Sequence, residues 1–397
     1  MTPTAADWEA LQGGIAGGVI LPGPPDYELV RRPAMARFEN VRPQAVVRCR
    51  TGGGLGILGR KYGLTCDHLL RAEVVLADGR VVESDEHAEE ELFWALRGAG
   101  GGNLGVVTSF VFRAVPAPAA TVFHLVWPLA HAAGAVEAWQ TWAPTAPDEL
   151  DATLRLTAAG DGARPPLADV FGAVLASEAE AAELLDELVA RVGAEPALAS
   201  RRHMPYREAK RYLDGLEPVE GQVGQASPDQ ASQQGPLFSK SEFFRRPLPR
   251  DTIAALVDNL SQGPGEGHSR EVSFLPWGGA YNRVRADATA FVHRAELFLV
   301  QHLAGVDPGA SRAEGDAARD WLARSWAFVH PSGSGGVYPN FPDPDLQDWA
   351  HAYYGANYSR LLRVKAHYDP GNFFRFHQSL PSLAPRGDAA GSRRIRC

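Results

Sequence analysis

The stretch GGGLGILGRKYGLTCDHLLRAEVVLADGRVV, residues 52–82, combines a glycine cluster with a predicted pair of β-strands. Its second half contains two runs rich in β-branched residues, and Asp78 and Gly79 separate them. An Asp-Gly pair between two such runs is a strong signal for a β-hairpin, because the tight turn needs residues that tolerate positive φ. The stretch therefore predicts an antiparallel hairpin that follows a glycine-rich loop.

A second glycine cluster lies in the segment ELFWALRGAGGGNLGVVTSFVFR, residues 91–113. Residues 89–97 predict a helix before the cluster, since their apolar side chains share one face, and residues 106–113 predict a strand after it. Glycine adopts positive φ without steric cost and lets the backbone approach a ligand closely. The density of glycine in both clusters therefore favours loops that contact a flat or phosphorylated cofactor.

Both clusters satisfy the pattern G-x-G-x-x-G, at Gly54, Gly56 and Gly59 and again at Gly100, Gly102 and Gly105. The dinucleotide-binding form of this pattern needs a helix that begins at the third glycine, so that its amides face a pyrophosphate. After the first cluster such a helix would meet Gly63 almost at once, and the second cluster has its predicted helix on the wrong side. An NAD(P)-dependent Rossmann enzyme is kept as an alternative, which nicotinamide binding without flavin would favour.

The composition is that of a globular chain, with 397 residues, 45% hydrophobic and 22% charged. A formal net charge of −8 and scattered basic residues argue against a nucleic-acid partner. No run reaches the roughly 20 apolar residues of a membrane span, and the first residues lack the pattern of a signal peptide. The three cysteines have no metal-binding spacing. We expect a cytoplasmic protein with reduced thiols and no membrane partner.

The pattern of predicted secondary structure changes after residues 116–118, Pro-Ala-Pro. From there, strand-like and helical runs begin to alternate. Residues 179–192 predict an amphipathic helix, and residues 349–365 predict one long helix near the end of the sequence. Residues 221–236 are polar and lack aromatic side chains, which is typical of a mobile loop. The Pro-Ala-Pro run and the change of pattern after it predict two domains with a boundary near residue 116.

The C-terminal run YYGANYSRLLRVKAHYDPGNFFRFHQSL, residues 353–380, is long and specific. It resembles the closing segment of the berberine-bridge-type FAD-linked oxidases. The two glycine-rich segments resemble the second half of a p-cresol-methylhydroxylase-type FAD-binding domain. Four further segments are similar to the substrate domain of the same family: residues 239–244, 275–284, 289–294 and 335–349. The resemblance covers nearly the whole chain.

This resemblance implies an α+β fold with two lobes. Residues 1–116 would form a truncated FAD-binding domain, completed by the C-terminal segment, residues 349–382. Residues 117–348 would form the substrate domain, in which helices cover an antiparallel sheet, and residues 383–397 would be a flexible tail. The implied cofactor is FAD, and the implied reaction is oxidation of a small alcohol, sugar or amine by hydride transfer to flavin, with oxygen as the electron acceptor.

The same resemblance points to site residues. Oxidation needs a base that takes the substrate proton while the hydride leaves, and the family uses tyrosines for this. Here Tyr353 or Tyr354 would be the base, with Tyr281 as a candidate partner, although a helix bearing several tyrosines could also present them to a core. The predicted cofactor-binding residues are Gly53, Gly54, Gly56, Gly102, Asn103, Gly105, Val106 and Asn357.

The chain also departs from the family at one place. In the family a long segment separates the counterparts of residues 45–50 and 51–56, and it carries an Arg-Ser-Gly-Gly-His loop that holds the pyrophosphate. The His of this loop and a nearby Cys attach the flavin covalently. Here Arg50 adjoins Thr51 directly, and neither motif is present. The sequence thus predicts an internal deletion at this seam, and any bound FAD would be non-covalent.

Two hypotheses about function follow. The first is an FAD-dependent oxidoreductase that is impaired by loss of the pyrophosphate loop. The alternative is a degenerate, non-catalytic protein or binding module that keeps the fold without flavin. Flavin absorbance of the purified chain would separate the two.

Overall fold

A computed structural model describes residues 18–20, 46–48, 56–160, 165–216, 237–262, 264–265 and 268–382. Several sequence-based predictions lie outside these residues: the seam between Arg50 and Thr51, the ligand role of Gly53 and Gly54, the loop 221–236 and the tail 383–397.

A hairpin and one added strand form the sheet that contains the first glycine-rich segment. Strands β3 (Leu69–Val75) and β4 (Val81–Asp85) pair antiparallel around the predicted turn, in which Gly79 has φ 85°. Strand β5 (Val106–Phe112) pairs antiparallel with the other edge of β3, giving the order β4-β3-β5. Apart from this sheet, β1 (Gly18–Ile20) and β2 (Val46–Arg48) pair antiparallel with each other.

Two short helices belong to this part of the chain, one before β3 and one between β4 and β5. Helix α1 (Gly59–Tyr62) has only four residues and ends at Gly63, which has φ 102°. The expectation that no long helix can follow the first glycine cluster is therefore confirmed. Helix α2 (Glu90–Leu96) precedes the second glycine cluster, as predicted.

A larger antiparallel sheet has seven strands in the order β10-β12-β11-β7-β8-β6-β9. Its strands are β6 (Ala120–Pro128), β7 (Leu150–Ala159), β8 (Leu167–Val174), β9 (Leu198–Met204), β10 (Leu237–Phe244), β11 (His268–Pro276) and β12 (Phe298–Val306). The helices between them are α3 (Ala132–Trp142), α4 (Glu178–Val192), α5 (Tyr206–Asp214) and α6 (Arg250–Ser261), and α7 (Arg312–Val329) follows β12.

The main core lies between one face of this sheet and four of the helices. Alternate residues of β7, such as Leu154 and Leu156, are fully buried there against side chains of α3, α4, α6 and α7. The intervening residues of β7 point to the other side of the sheet, because side chains alternate along a strand. We call this second side the site face. The antiparallel sheets and their covering helices confirm the α+β fold.

The end of the chain differs from the predicted single helix over 349–365. Helix α8 (Trp349–Tyr354) is followed by a 3₁₀ turn and then by α9 (Tyr358–Tyr368). The break lies at Gly355, which has φ 46°. A Cβ there would lie 3.4 Å from both methyl groups of Val292, so a close tertiary approach accompanies the change of direction. The prediction of one continuous helix is wrong because it considered only local pattern.

Helices α8 and α9 pack beside the three-stranded sheet rather than on the larger one. Leu361 and Val364 of α9 belong to the same buried cluster as Leu92 and Phe93 of α2. The C-terminal segment and the second glycine cluster therefore share one core. The predicted domain boundaries stay predictions.

Candidate functional site

The second glycine cluster forms a loop, residues 98–105, between α2 and β5. Three of its glycines have positive φ: 141° at Gly98, 72° at Gly100 and 77° at Gly102. At Gly98 a Cβ would lie 2.1 Å from the backbone nitrogen of Phe291, so no other residue fits this approach. The glycines here are thus required by conformation and by packing.

Buried polar contacts fix the shape of this loop. Asn103 donates from Nδ2 to the carbonyl of Ala99 at 2.9 Å and accepts the amide of Leu380 on Oδ1, also at 2.9 Å. The carbonyl of Asn103 accepts a hydrogen bond from Nζ of Lys365 at 2.8 Å. Asn103, predicted to bind cofactor, therefore acts on the loop backbone through its side chain.

The two residues that end the loop differ in their surroundings. A Cβ at Gly105 would lie 2.6 Å from a methyl group of Val74, so glycine is needed there for packing onto β3. Val106 is 56% exposed at the start of β5.

The backbone at Gly100, Gly101 and Gly102 is exposed. Among the described parts of the chain, these three amides have no hydrogen-bond acceptor. Successive free amides at a glycine loop can donate to an anionic or carbonyl-rich group. The free donors of this loop are therefore of the kind that a flavin nucleotide could accept.

Tyr354 lies against the same loop. Its hydroxyl donates to the carbonyl of Ala99 at 2.9 Å and lies 4.0 Å from where a Cβ of Gly100 would be. Burial raises the pKa of the Tyr354 hydroxyl, so the group is neutral near pH 7. The structure thus brings one predicted catalytic tyrosine next to the predicted cofactor loop.

Tyr353 points away from that loop into a separate hydrogen-bonded cluster. Its hydroxyl donates to Oε1 of Gln378 at 3.2 Å and accepts the amide of Asp343 at 3.0 Å. Burial raises its pKa to about 12. The two contacts join α8 to the segments that contain Asp343 and Gln378, so the hydroxyl has a structural use independent of catalysis.

Asn357 holds the segment that leads to Phe291. Its Nδ2 lies within hydrogen-bonding distance of the carbonyls of Ala286, Thr289 and Ala290, at 2.7, 3.1 and 3.3 Å. The side chain is buried, and these contacts place it on the protein backbone beside the glycine loop.

Tyr281 and the first glycine stretch form a second part of the site. The Tyr281 ring stacks on Trp277 with centroids 4.4 Å apart, and its hydroxyl lies directly over Gly59. Burial raises the pKa of Tyr281 well above its ordinary value, against an opposing hydrogen bond with the backbone of Gly56. The structure therefore brings Tyr281 to Gly56, but not to Tyr353 or Tyr354.

We expect Gly59→Ala to lower the free energy of unfolding by about 1–3 kcal/mol. The new Cβ would lie 1.6 Å from the hydroxyl oxygen of Tyr281, whose ring is held by the stack on Trp277. Chemical denaturation of this variant should be compared with that of Gly371→Ala, where a Cβ meets nothing within 4 Å. Equal stability of the two variants would contradict the packing argument.

A chain of aromatic contacts connects the two parts of the site. From Trp277 it continues to Tyr338, 6.2 Å away between ring centroids, and from Tyr338 to Phe243 on β10 at 6.4 Å. The next residue, Pro339, lies 4.0 Å from where a Cβ of Gly100 would be. Residues 338–340, Tyr-Pro-Asn, therefore bridge the site face of the large sheet and the second glycine loop.

Sequence reasoning missed this bridge. The Tyr338 hydroxyl accepts a hydrogen bond from Nδ2 of Asn340 at 2.9 Å. Burial raises the pKa of Tyr338, and the hydrogen bond from Asn340 opposes that rise.

Buried charges also connect the two parts of the structure. Arg294 forms a bidentate ion pair with Asp67, in which Nη2 and Oδ1 are 2.6 Å apart. Both side chains are buried. Arg60 donates to four carbonyls in the segment that follows α3, those of Ala143, Pro144, Ala146 and Leu150. These contacts hold the first glycine stretch against the large sheet.

No cluster of His, Cys, Asp and Glu side chains among the described residues could hold a metal ion. Within the same part of the chain, no helix has both the length and the apolar character needed to cross a bilayer.

Comparison with known proteins gives this arrangement a context. A family model described as "Berberine and berberine like" matches residues 337–381. The FAD-linked oxidoreductase YvdP of Bacillus subtilis (strain 168) is 33% identical over 372 residues, covering 94% of this chain and 77% of the relative.

Two solved structures share the fold. A variant of berberine bridge enzyme in complex with (S)-reticuline has a TM-score of 0.71 and 26% identity, over 85% of this chain and 69% of that chain. A chitooligosaccharide oxidase has a TM-score of 0.70 and 27% identity, over 84% of this chain and 70% of that chain. Since its relatives are FAD-linked, FAD is the expected cofactor. The chain belongs to the berberine bridge enzyme-like family of FAD-linked oxidoreductases.

Proposed function

We propose that this chain oxidises a small-molecule alcohol, sugar or amine that binds between the site face of the large sheet and FAD at loop 98–105. The observation that carries the proposal is the bridge of residues 338–340, which contacts both surfaces. When bound, FAD would supply the hydride acceptor, and oxygen is the proposed final acceptor of the two electrons. The chain's own residues have to bind the cofactor, orient the substrate and receive one proton.

The exposed amides of Gly100, Gly101 and Gly102 support the cofactor role of this loop. They can donate hydrogen bonds without displacing an existing protein partner. Asn103 and Asn357 would act indirectly, by holding the loop and the segment behind it. Gly56, Gly105 and Val106 remain proposed contacts. No described residue replaces the covalent attachment motif, so we propose that FAD binds without a covalent bond.

Tyr338 is the tyrosine whose position best suits a proton acceptor. It lies between the site face and the cofactor loop, and although burial raises the pKa of its hydroxyl, the hydrogen bond that Nδ2 of Asn340 donates to the hydroxyl oxygen opposes that rise. Tyr354 is the second candidate, because it adjoins Gly100. Tyr281 and Tyr353 remain proposals with weaker geometric support, since they lie beside Gly59 and Gln378 respectively.

We expect Tyr338→Phe to slow reduction of bound FAD by about a hundredfold or more, the usual scale for loss of a general base. Stopped-flow absorbance of the FAD-loaded protein measures this rate, with the single Tyr→Phe variants at 281, 353 and 354 as matched comparisons. Tyr353→Phe should chiefly lower stability, because its hydroxyl joins Asp343 to Gln378. An unchanged reduction rate in Tyr338→Phe would remove its catalytic role.

The alternative is a non-catalytic member of the same fold that binds no flavin. The absence of the Arg-Ser-Gly-Gly-His motif from the sequence favours it, because an internal deletion at Arg50–Thr51 would remove the pyrophosphate loop. The predicted cytoplasmic location is a further proposal. The flavin content of the purified chain separates the impaired oxidase from the non-catalytic protein.

A further inference from the structure

Strand β5 forms one edge of the three-stranded sheet, and the outer side of this strand is open. It pairs with β3 on its inner side, and no described strand pairs with it on the other. The backbone N–H and C=O groups along a free edge are able to pair with a further strand. The seven residues of β5, Val-Val-Thr-Ser-Phe-Val-Phe, include no charged side chain that would discourage such pairing. We call this surface the β5 edge.

The β5 edge exposes large apolar side chains. Val106, Phe110 and Phe112 are 56%, 53% and 43% exposed, and the two phenylalanine rings stack with their centroids 5.6 Å apart. Phe110 lies opposite the buried core residue Ala72 of β3, and residues opposite each other share one face of a sheet. The apolar face that forms the core at β3 therefore continues onto β5, where it is exposed. Such a patch marks a surface of interaction.

The other outer strands of the two larger sheets are protected against association. Strand β4 carries Glu83, and β9 carries Arg201 and Arg202, all three of them exposed. Strand β10 is hydrogen-bonded through the N–H and C=O of Phe243 to the segment 334–336, with both N···O distances 2.8 Å. Charged side chains and a covering segment are the usual means of preventing edge-to-edge pairing. Among the described outer strands of these two sheets, only β5 has neither.

We propose that the β5 edge is a dimer interface, at which β5 of a second copy of this chain pairs antiparallel with it. A two-fold axis brings the same strand of both copies together in opposite directions, so the two free edges satisfy each other. Pairing with β4, β9 or β10 would instead meet charged side chains or an occupied backbone. Because both unprotected edges are used, association ends at the dimer. The two copies then share one continuous sheet in the order β4-β3-β5-β5-β3-β4.

The sequence of β5 suits pairing with itself. When all seven residues overlap, Ser109 of one copy lies opposite Ser109 of the other, and Val106 lies opposite Phe112. The remaining opposite pairs are Val107 with Val111 and Thr108 with Phe110. Aromatic side chains opposite β-branched ones, and serines opposite each other, both stabilise antiparallel strands. No pair in this register brings like charges together.

The area of the β5 edge suits a reversible dimer. Each half-exposed phenylalanine offers on the order of 100 Å² to a partner, and Val106, Val111 and the strand backbone add to this area. Two copies together would bury close to the ~1,000 Å² at which specific interfaces begin. We therefore expect a dimer that forms at micromolar concentration and dissociates on dilution.

Analytical ultracentrifugation of the purified full chain, without added flavin, tests the proposal. As the concentration rises through the micromolar range, the mass should pass from the 42.7 kDa of one chain to twice that value. Ser109→Lys should weaken the dimer about tenfold or more, because it places two like charges opposite each other. Val111→Lys is a second variant with the same expected loss. Val81→Lys, on the outer strand β4 of the same sheet, is the matched control and should change nothing.

Two results would overturn the inference: a chain that stays monomeric at every concentration, or a dimer that Ser109→Lys and Val111→Lys both leave intact. Melting curves of the three variants check folding, and because all three positions are exposed, loss of the fold is not expected.

Hydrogen exchange of the β5 amides distinguishes a second copy from other occupants of the edge. The outward amides of β5 should exchange more slowly as the concentration rises, and Ser109→Lys should remove this protection. Slow exchange in a monomer, independent of concentration, would mean that another part of the same chain covers the edge, and it would reject the second copy. Neither measurement depends on the proposed oxidase function.

Discussion

Lys365→Met is expected to lower the free energy of unfolding by about 3–5 kcal/mol, the scale for breaking a buried ion pair on one side. Lys365 and Asp369 are both fully buried, with Nζ and Oδ2 2.6 Å apart. The ammonium also donates to the carbonyls of Asn103 and Phe374, at 2.8 and 2.6 Å. Methionine is unbranched and one heavy atom shorter than lysine, so it fills most of the same space but supplies none of these donors.

The cost should be large because the groups left behind cannot reach water. Asp369 also accepts the amides of Phe373 and Phe374, at 2.7 and 2.9 Å. Burial raises the pKa of the Asp369 carboxyl, but the hydrogen bonds from Lys365 and these amides lower it more, so the net pKa is below its ordinary value. Removing the cation would leave a buried carboxylate with its two amides alone.

Chemical denaturation at pH 7 measures the effect, and Arg191→Met is the matched control. Arg191 pairs with Glu187 at the same i,i+4 spacing, but both side chains are about half exposed. Removing an exposed helical pair should cost only about 0.3–0.5 kcal/mol. If Lys365→Met destabilises the chain no more than Arg191→Met does, the buried cluster does not hold loop 98–105 in place.

Local patterns predicted much of the fold. The hairpin around Gly79 follows from Asp-Gly between two β-rich runs, and the shortness of α1 follows from Gly63. Both depend on residues next to one another in the chain. The break at Gly355 was missed because it accompanies a contact with Val292, which is distant in sequence.

The candidate site depends even more than the fold on contacts between residues that are distant in sequence. Tyr354 and the glycines of loop 98–105 were singled out from the sequence, since the resemblance and the glycine density both point to them, and the structure places Tyr354 beside Gly100. Tyr338 was missed because its importance lies in bridging two surfaces, and no spacing along the chain records that. Lys365 reads as an ordinary basic residue in Arg-Val-Lys, although the structure buries it completely.

The alignment of side chains across the large sheet could not have been predicted from one sequence at all. Ser241 and Arg155 lie on strands β10 and β7, which β12 and β11 separate in the sheet. Their alignment depends on three successive strand registers, and a shift of one residue would turn each side chain to the other face. Single-sequence reasoning supplies none of those registers.

Purified protein is expected to contain little FAD, because the predicted deletion removes most donors to the pyrophosphate. Several charge-assisted hydrogen bonds, each worth about 1.5–3 kcal/mol, would be lost together, which is on the order of 5–10 kcal/mol. By the usual conversion, this weakens binding by roughly four to seven powers of ten. A site with nanomolar affinity would then bind FAD only at millimolar concentration.

The exposed amides of Gly100, Gly101 and Gly102 determine how much affinity remains. Each can replace one lost donor, so three new bonds would recover a substantial part of the deficit. Gly102→Val should weaken residual binding further, because Gly102 has φ 77° and a Cβ there already lies 3.3 Å from the ring of Phe376. Its control is Gly309→Val, which has a similar φ of 86° on an open surface.

Titration with FAD, followed by quenching of flavin fluorescence, measures this affinity directly. Acid precipitation of a loaded sample should leave all yellow colour in the supernatant, because no covalent attachment motif is present. Saturation of the unmodified chain at low micromolar FAD would show that loop 98–105 is sufficient and that the predicted deletion does not impair the enzyme. The expected result is binding only at millimolar FAD, which Gly102→Val abolishes and Gly309→Val keeps. This result would place the remaining cofactor affinity in loop 98–105, and the low occupancy by FAD would then predict weak turnover.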